Sequence, residues 1–564
     1  MNSKYVYLCD DCGIDLGEGL AKSASSAAFT LTIDSVDRYL GRGLGEGLTE
    51  TTSLTTFTLT INGGHRFPLK DWIKGLGKGL AKTTSLTSLI LTINSGYRFL
   101  LKDCGKGLGE GLAKSTSLTA FTLTLDEGLA ESTSLTAFTL TMNTGHRFLH
   151  KDWGKGLGEG LAESTSLTAF ILKMNSVDGY LGEDWGKGLG EGLAKSTSLT
   201  AFTLTINSGN GDLGEDWGKS LGEGLAKSTS LTAFTLTINS GNGDLDEDWG
   251  KSLGEGLAKS TSLTTCLGGG LAESTSLSVF TLIINSVRKN LRRDWGKGLG
   301  EGLAKSTSLT AFTLKINSEH QYLRGDWGKS LGEILAESKS LTAFTLTINS
   351  VNGCLRGDWG RGLGEILAES KSLTAFTLTI NSVNGCLRGD WGRGLGESLS
   401  KSMSLTAFTL TINSVATYLL GDWGEGLSKG LAKSRSLTAF TLKINSKHRF
   451  LRGDWGKGLG EGLAKNTSLT AFTLLVNNHG GYLCIDWGKA LGKGLAESTS
   501  LTVFTLIGNM DTCLIGTWVE GLRRSFRNRE FFLSDNVKIT DRGALDELIS
   551  SFELDRCLPE PTVL

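Results

Sequence analysis

Net charge is what this chain lacks most plainly. Lys and Arg total 57 and Asp and Glu 58, a formal balance of −1, so no global field recruits nucleic acid or an anionic membrane. Long apolar runs are missing too. No stretch approaches the ~20 apolar residues of a membrane-spanning helix, and the opening MNSKYVYLCDDCGIDLG has neither the basic start nor the apolar core of a secretory signal. The nine Cys are an odd number scattered over 564 residues, which argues against a disulfide framework and suits free thiols in a reducing compartment. A cytoplasmic protein is the expectation. Proline falls to 3 residues while Gly reaches 78, and Leu, Thr, Ser and Lys crowd out most other types. So narrow a composition points to internal repetition before it points to several ordinary domains. Apolar residues make up 39%, low for a packed globule and sufficient only if they recur at fixed positions.

They do recur. Trp153, Trp185, Trp217 and Trp249 lie 32 apart, and Trp295, Trp327, Trp359, Trp391, Trp423, Trp455 and Trp487 resume the step. One unit, from Asp184, reads DWGKGLGEGLAKSTSLTAFTLTINSGNGDLGE. Within it Leu199, Phe202, Leu204 and Asn207 fit L-x-x-L-x-L-x-x-N with Phe in the second Leu slot, the strand signature of a leucine-rich repeat. Sixteen such strands are expected, from Phe29 to Phe504. Phe202, Leu204 and Ile206 share one strand face, and Thr203 and Thr205 take the other. Trp185, Leu189 and Leu193 are spaced i, i+4, i+8, one face of a helix, with Asp184 placed as its N-cap. Gly186, Gly188, Gly190 and Gly192 each cost that helix up to ~1 kcal/mol against Ala. The segment is therefore expected to be short and loosely wound, its small residues letting neighbouring helices approach and flatten the curve.

The fold expected is an α/β leucine-rich-repeat solenoid of about 16–17 coils, mostly of 32 residues, curved with parallel strands inside and Gly-rich helices outside. The array spans 1–507, and 508–564 form a divergent C-terminal repeat and cap. Two units are irregular. The step from Phe121 to Phe138 covers 17 residues, and that from Phe234 to Phe280 covers 46 through the broken strand Leu263 to Gly270. Near 125–138 and 264–272 kinks, poor packing or an error in the gene assembly are expected. Met1, Asn2 and Ser3 align with Met174, Asn175 and Ser176, so the chain starts mid-repeat and is expected to be the trailing part of a longer one.

Past Trp518, Phe531, Leu533, Asn536, Ile539, Asp541, Gly543, Ala544, Leu545 and Leu548 approximate L-x-x-N-x-I-x-D-x-G-A-x-x-L-x-x-L without matching it letter by letter. This segment resembles ribonuclease-inhibitor-type leucine-rich repeats, and the chain as a whole resembles the C-terminal array of NOD-like receptors. That resemblance implies a ligand-sensing or autoinhibitory array downstream of a nucleotide-binding ATPase. No such ATPase is legible here, so nucleotide binding is not carried over. Gly218-Lys219-Ser220 looks like the tail of a phosphate-binding loop, but Leu213 stands where that motif needs Gly.

Other short motifs dissolve into the repeat. Arg-Gly-Asp at Arg324, Arg356, Arg388 and Arg452 contains the Asp that opens nearly every helix. Cys9 and Cys12 form a C-x-x-C with no second pair, so no structural zinc is expected. Cys354 and Cys386 occupy equivalent positions in successive units and are read as reduced. Asn466-Thr467-Ser468 is a glycosylation sequon made by one Ser-to-Asn difference between units. The six His carry no fixed carboxylate or nucleophile around them. No enzyme, cofactor or metal is expected.

Variation between units concentrates in the loop after each strand. There stand His65, Arg66 and Phe67; Tyr97, Arg98 and Phe99; His146, Arg147 and Phe148; Arg288; His320 and Tyr322; and Lys447, His448, Arg449 and Phe450. Arg and aromatic side chains dominate binding hot spots, and loops on a rigid scaffold are where recognition sits. This loop rim is the expected ligand-binding site, for a protein or a microbial or self ligand, with nucleic acid and membrane excluded as partners. Alternatives are a stand-alone scaffold, such as an inhibitor or GTPase regulator, and a remote one, an ice-binding Thr array, which a curved inner face would fit poorly.

Overall fold

The computed structural model describes residues 27–33, 46–63, 82–95, 117–125, 135–144, 151–176, 183–208, 215–240, 277–286, 308–318, 335–350, 357–382, 389–414, 421–446, 453–478 and 485–509, with short pieces at 18–19, 76, 78–80, 253, 299–300, 303–304, 306 and 331–332. They fall into two compact units, Met1–Ser286 with Lys305–Leu309, and Val287–Ala304 with Thr310–Leu564.

Among the described residues of the first unit nine strands follow in chain order: β1 (Ala28–Ile33), β2 (Thr56–Gly63), β3 (Ser88–Ser95), β4 (Ala120–Leu125), β5 (Ala137–Thr144), β6 (Ala169–Ser176), β7 (Ala201–Ser208), β8 (Ala233–Ser240) and β9 (Val279–Ser286). Each pairs in parallel with the next. In the second unit β10 (Ala311–Ser318), β11 (Ala343–Ser350), β12 (Ala375–Ser382), β13 (Ala407–Ser414), β14 (Ala439–Ser446), β15 (Ala471–Asn478) and β16 (Val503–Asn509) do the same. These are the strands expected from the repeat.

Register follows the repeat letter by letter. Phe202 faces Phe234, Leu204 faces Leu236 and Ile206 faces Ile238; Phe376 faces Phe408 in the second unit. Alternation sends Phe202, Leu204 and Ile206 inward, each at most 2% exposed, and leaves Thr203 and Thr205 half-exposed. The Phe rings consequently stack along each unit, with centroids 5.3 Å apart for Phe170 and Phe202 and 5.5 Å for Phe312 and Phe344. Such contacts add roughly 0.5–1.5 kcal/mol per pair beyond burial.

Helices of thirteen residues stand on the other side of the coil: α1 (Lys151–Glu163), α2 (Glu183–Lys195) and α3 (Glu215–Lys227) in the first unit. The second unit holds α4 (Gly357–Glu369), α5 (Gly389–Lys401), α6 (Gly421–Lys433), α7 (Gly453–Lys465) and α8 (Ile485–Glu497). Trp185, Leu189 and Leu193 of α2 are at most 1% exposed, as the spacing implies. The helices are short α-helices of thirteen residues, and stacking supplies what Gly-rich propensity does not. One expectation needs correction. Asp184 is not the N-cap: α2 starts at Glu183, so Asp184 lies inside the first turn, a position that the helix dipole favours for an acidic residue.

Glycine is what lets these helices meet backbone to backbone. A Cβ on Gly158 would lie 1.9 Å from the Gly188 carbonyl oxygen, and one on Gly190 would lie 2.2 Å from that of Ser220. Turn residues knit the coils together. The Thr168 carbonyl accepts from the Thr200 and Ala201 amides, both at 2.9 Å, and from Thr200 Oγ1 at 3.0 Å. Ser198 Oγ donates to the Ser164 carbonyl at 2.9 Å.

The irregular steps leave strand pairing intact. β4 and β5, only 17 residues apart, align Phe121 with Phe138, and β8 and β9 align Phe234 with Phe280. The segments between them, 126–134 and most of 241–276, lie outside the described residues, as do 510–564.

Candidate functional site

A coil with both its strand and its helix described presents three surfaces: the strand-end edge, the outer sheet face, and the outer helix face. The strand-end edge is fixed by asparagine. In the first unit Asn207 Nδ2 donates to Asn175 Oδ1, Asn239 to Asn207, and Asn285 to Asn239. In the second, Asn349, Asn381, Asn413 and Asn445 each donate to the Asn of the preceding coil. A side-chain ladder therefore runs beside the backbone ladder at the residue just before each strand's end.

The residues of the expected rim follow directly on this edge. His65, Arg66 and Phe67 come after β2; Tyr97, Arg98 and Phe99 after β3; His146, Arg147 and Phe148 after β5. Arg288 follows β9, His320 and Tyr322 follow β10, and Lys447, His448, Arg449 and Phe450 follow β14. All of them lie outside the described residues. What the structure fixes is their anchorage: Gly63 pairs with Ser95, Thr144 with Ser176, and Ser414 with Ser446.

The outer sheet face is built from Ala, Thr, Thr and Asn in most coils. Thr345, Thr347, Thr377, Thr379, Thr409 and Thr411 are half-exposed on β11–β13. Lys315 and Lys443 occupy the second Thr position on β10 and β14, and Ile171 with Lys173 interrupts the face on β6. Two Thr classes exist that the repeated letters did not separate. Thr342, Thr374 and Thr406 spend their hydroxyls on the carbonyl of the preceding coil, at 3.1, 3.2 and 3.1 Å. Among the described residues the hydroxyls of Thr345, Thr347, Thr377, Thr379, Thr409 and Thr411 make no hydrogen bond within the protein.

The helix face carries exposed Lys and Glu. Lys429 Nζ lies 2.7 Å from Glu425 Oε1, one turn away, and this hydrogen-bonded cation holds the Glu425 carboxyl below the ordinary glutamate value, with a smaller contribution from Arg393. The pair is present at neutral pH and is lost as pH falls through that lowered value.

The short motifs find their places here. Gly218, Lys219 and Ser220 lie inside α3, not in a loop before a helix. The Gly-Asp of three Arg-Gly-Asp triplets, at 357–358, 389–390 and 453–454, is the start of α4, α5 and α7, so it is helical backbone and not an extended loop tip. Asn466 is 1% exposed; its Nδ2 donates to the Leu431 carbonyl at 2.5 Å and its Oδ1 accepts from the Leu469 amide at 2.6 Å. The sequon is therefore closed to a glycosyltransferase in the folded chain. Among the described residues no group of three His, Cys, Asp or Glu comes together; all His and Cys lie outside those residues. Among the described residues, too, no helix is long and apolar enough to cross a membrane.

No protein-family model and no curated protein matches the chain. Its class is defined by the coils themselves: an α/β solenoid, in which parallel strands and helices alternate with a period of about 32 residues.

Proposed function

We propose that the chain is a non-catalytic binding module of the leucine-rich-repeat type, and that the loops leaving its strand-end edge are the recognition surface. The observation that carries this reading is the Asn ladder together with in-register strand ends, because it holds successive loop anchors at one edge of each unit. A fixed edge with variable loops is how rigid scaffolds present recognition residues. Among the described residues the remainder of the coil repeats from unit to unit, with no non-repeating insertion in which a catalytic constellation would sit.

The segment Leu533 to Leu548, which resembles the L-x-x-N-x-I-x-D-x-G-A unit, supports the ribonuclease-inhibitor subclass, and with it a sensing or autoinhibitory array of a cytoplasmic NOD-like immune receptor. The ligand is then a protein or a microbial or self molecule held across several coils.

The test replaces His146, Arg147 and Phe148, and separately Lys447 to Phe450, with Ser and Gly in the full chain. Binding to a panel of microbial cell-wall fragments and host proteins is read by calorimetry. Loss of a bound ligand with unchanged circular dichroism is expected; retention by both variants overturns the loop-edge assignment. The full-length transcript across Met1 tests the receptor: an upstream G-x-x-x-x-G-K-[ST] loop supports it, and a stop codon leaves a stand-alone scaffold.

A further inference from the structure

We propose that the outer sheet face of the second unit binds ice, with Thr345, Thr347, Thr377, Thr379, Thr409 and Thr411 as its contact block. Thr recurs on nearly every strand as a good strand former, and a curved face fits a crystal plane poorly, so repetition of Thr does not by itself make an ice-binding face. Two structural features favour it nonetheless.

The first is the split between spent and free hydroxyls. Thr342, Thr374 and Thr406 satisfy the backbone, so they are structural. The six block hydroxyls do not serve the protein; each residue offers a hydroxyl and a methyl to the half-exposed face. Backbone pairing sets the lattice: strands ~4.8 Å apart, and same-face side chains ~6.6–6.8 Å apart along each strand. Both spacings approximate oxygen repeats on an ice surface. In-register pairing from Thr345 to Thr377 to Thr409 keeps the block free of offset.

The second observation is at the helix edge of the same coils. A Cβ on Gly396 would lie 2.0 Å from the Gly426 carbonyl oxygen, and one on Gly430 would lie 2.0 Å from that of Gly396. Interaxial distance depends on the side chains at the contact, and Gly puts none between these helices. The less the helix step exceeds the strand step, the less successive coils splay, and the closer β11–β13 come to one plane.

The chemistry of the face selects among partners. It has no aromatic or Arg anchor of the kind that carries a protein interface. Its block is uncharged, unlike a surface that follows phosphates. Ala343, Ala375 and Ala407 stay low beside it, and Lys315 and Lys443 bound it. A neutral periodic lattice of hydroxyls and methyls matches a neutral periodic lattice of water.

The experiment uses the full chain. Ice-crystal shape and the gap between freezing and melting are read by nanolitre osmometry for the parent, for T377K with T379K, and for the variant with Lys447 to Phe450 replaced. Faceted crystals and a measurable gap are expected for the parent and the loop variant, with the gap cut at least tenfold in T377K/T379K. If circular dichroism shows that the double variant unfolds, T377L, which lengthens one side chain without adding charge, gives the reading and is expected to cut the gap severalfold. Rounded crystals growing as in buffer, or an effect that survives substitution in a folded variant, overturns the proposal. So does a face-to-face dimer in sedimentation with no effect on ice. The loop variant separates this outcome from that of the loop-edge reading.

Discussion

A methyl group added at Gly190 would sit 2.2 Å from the Ser220 carbonyl oxygen, and this reverses the usual meaning of a helical glycine. In an isolated helix Gly→Ala gains about 1 kcal/mol. Here G190A forces two backbones apart, and overpacking of that kind costs roughly 1–3 kcal/mol. Gly458 is the internal control, since its nearest neighbour is Glu425 Cα at 3.3 Å; G458A is expected to leave stability within about 1 kcal/mol of the parent. Hydrogen exchange at the amides of α2, α3 and α7 reads both. Asn466 offers a second residue-scale prediction. N466S restores the residue found at Ser434 and Ser498 and is expected to be nearly neutral. N466D removes the donor to the Leu431 carbonyl and buries a charge against it, at a cost of about 3 kcal/mol. A melting-temperature comparison of the two variants decides it.

At the scale of the element, strands are the most legible part of the sequence. Phe202, Leu204 and Ile206 alternate with Thr, and a period of two has one structural meaning when it recurs in register. The helix face is equally plain in Trp185, Leu189 and Leu193, yet its regularity is not, because per-residue propensity counts Gly as a loss and ignores the neighbour that Gly admits. The Thr classes are not legible either: Thr342 and Thr345 are the same letter three residues apart, and only backbone geometry shows which hydroxyl has a carbonyl in reach. For the loop edge, sequence supplies the residues and the structure supplies only their anchors. Those anchors are testable. Asn381 donates to Asn349 and accepts from Asn413, so N381A breaks two rungs and is expected to cost about 2–3 kcal/mol. The loss should show as faster exchange at the ends of β11–β13, with the Phe stack unaffected.

For the whole molecule, interchangeability of coils matters more than any one contact. Phe344 faces Phe376 and Phe376 faces Phe408 through identical neighbours, so deleting residues 375–406 sets Phe344 against Phe408 in the same register. The shortened chain is expected to keep its circular dichroism per residue and to melt within a few degrees of the parent, as nearest-neighbour energetics of stacked repeats require. A collapse of secondary structure would show that a coil depends on more than its neighbours.

The in-register pairing of β4 with β5 across a 17-residue step carries this further. Where neighbouring stretches of a gene encode interchangeable pieces, misaligned recombination between them lengthens or shortens the product by whole or partial pieces. A product of that kind keeps the architecture wherever the next strand still finds its partner, as β5 does at β4.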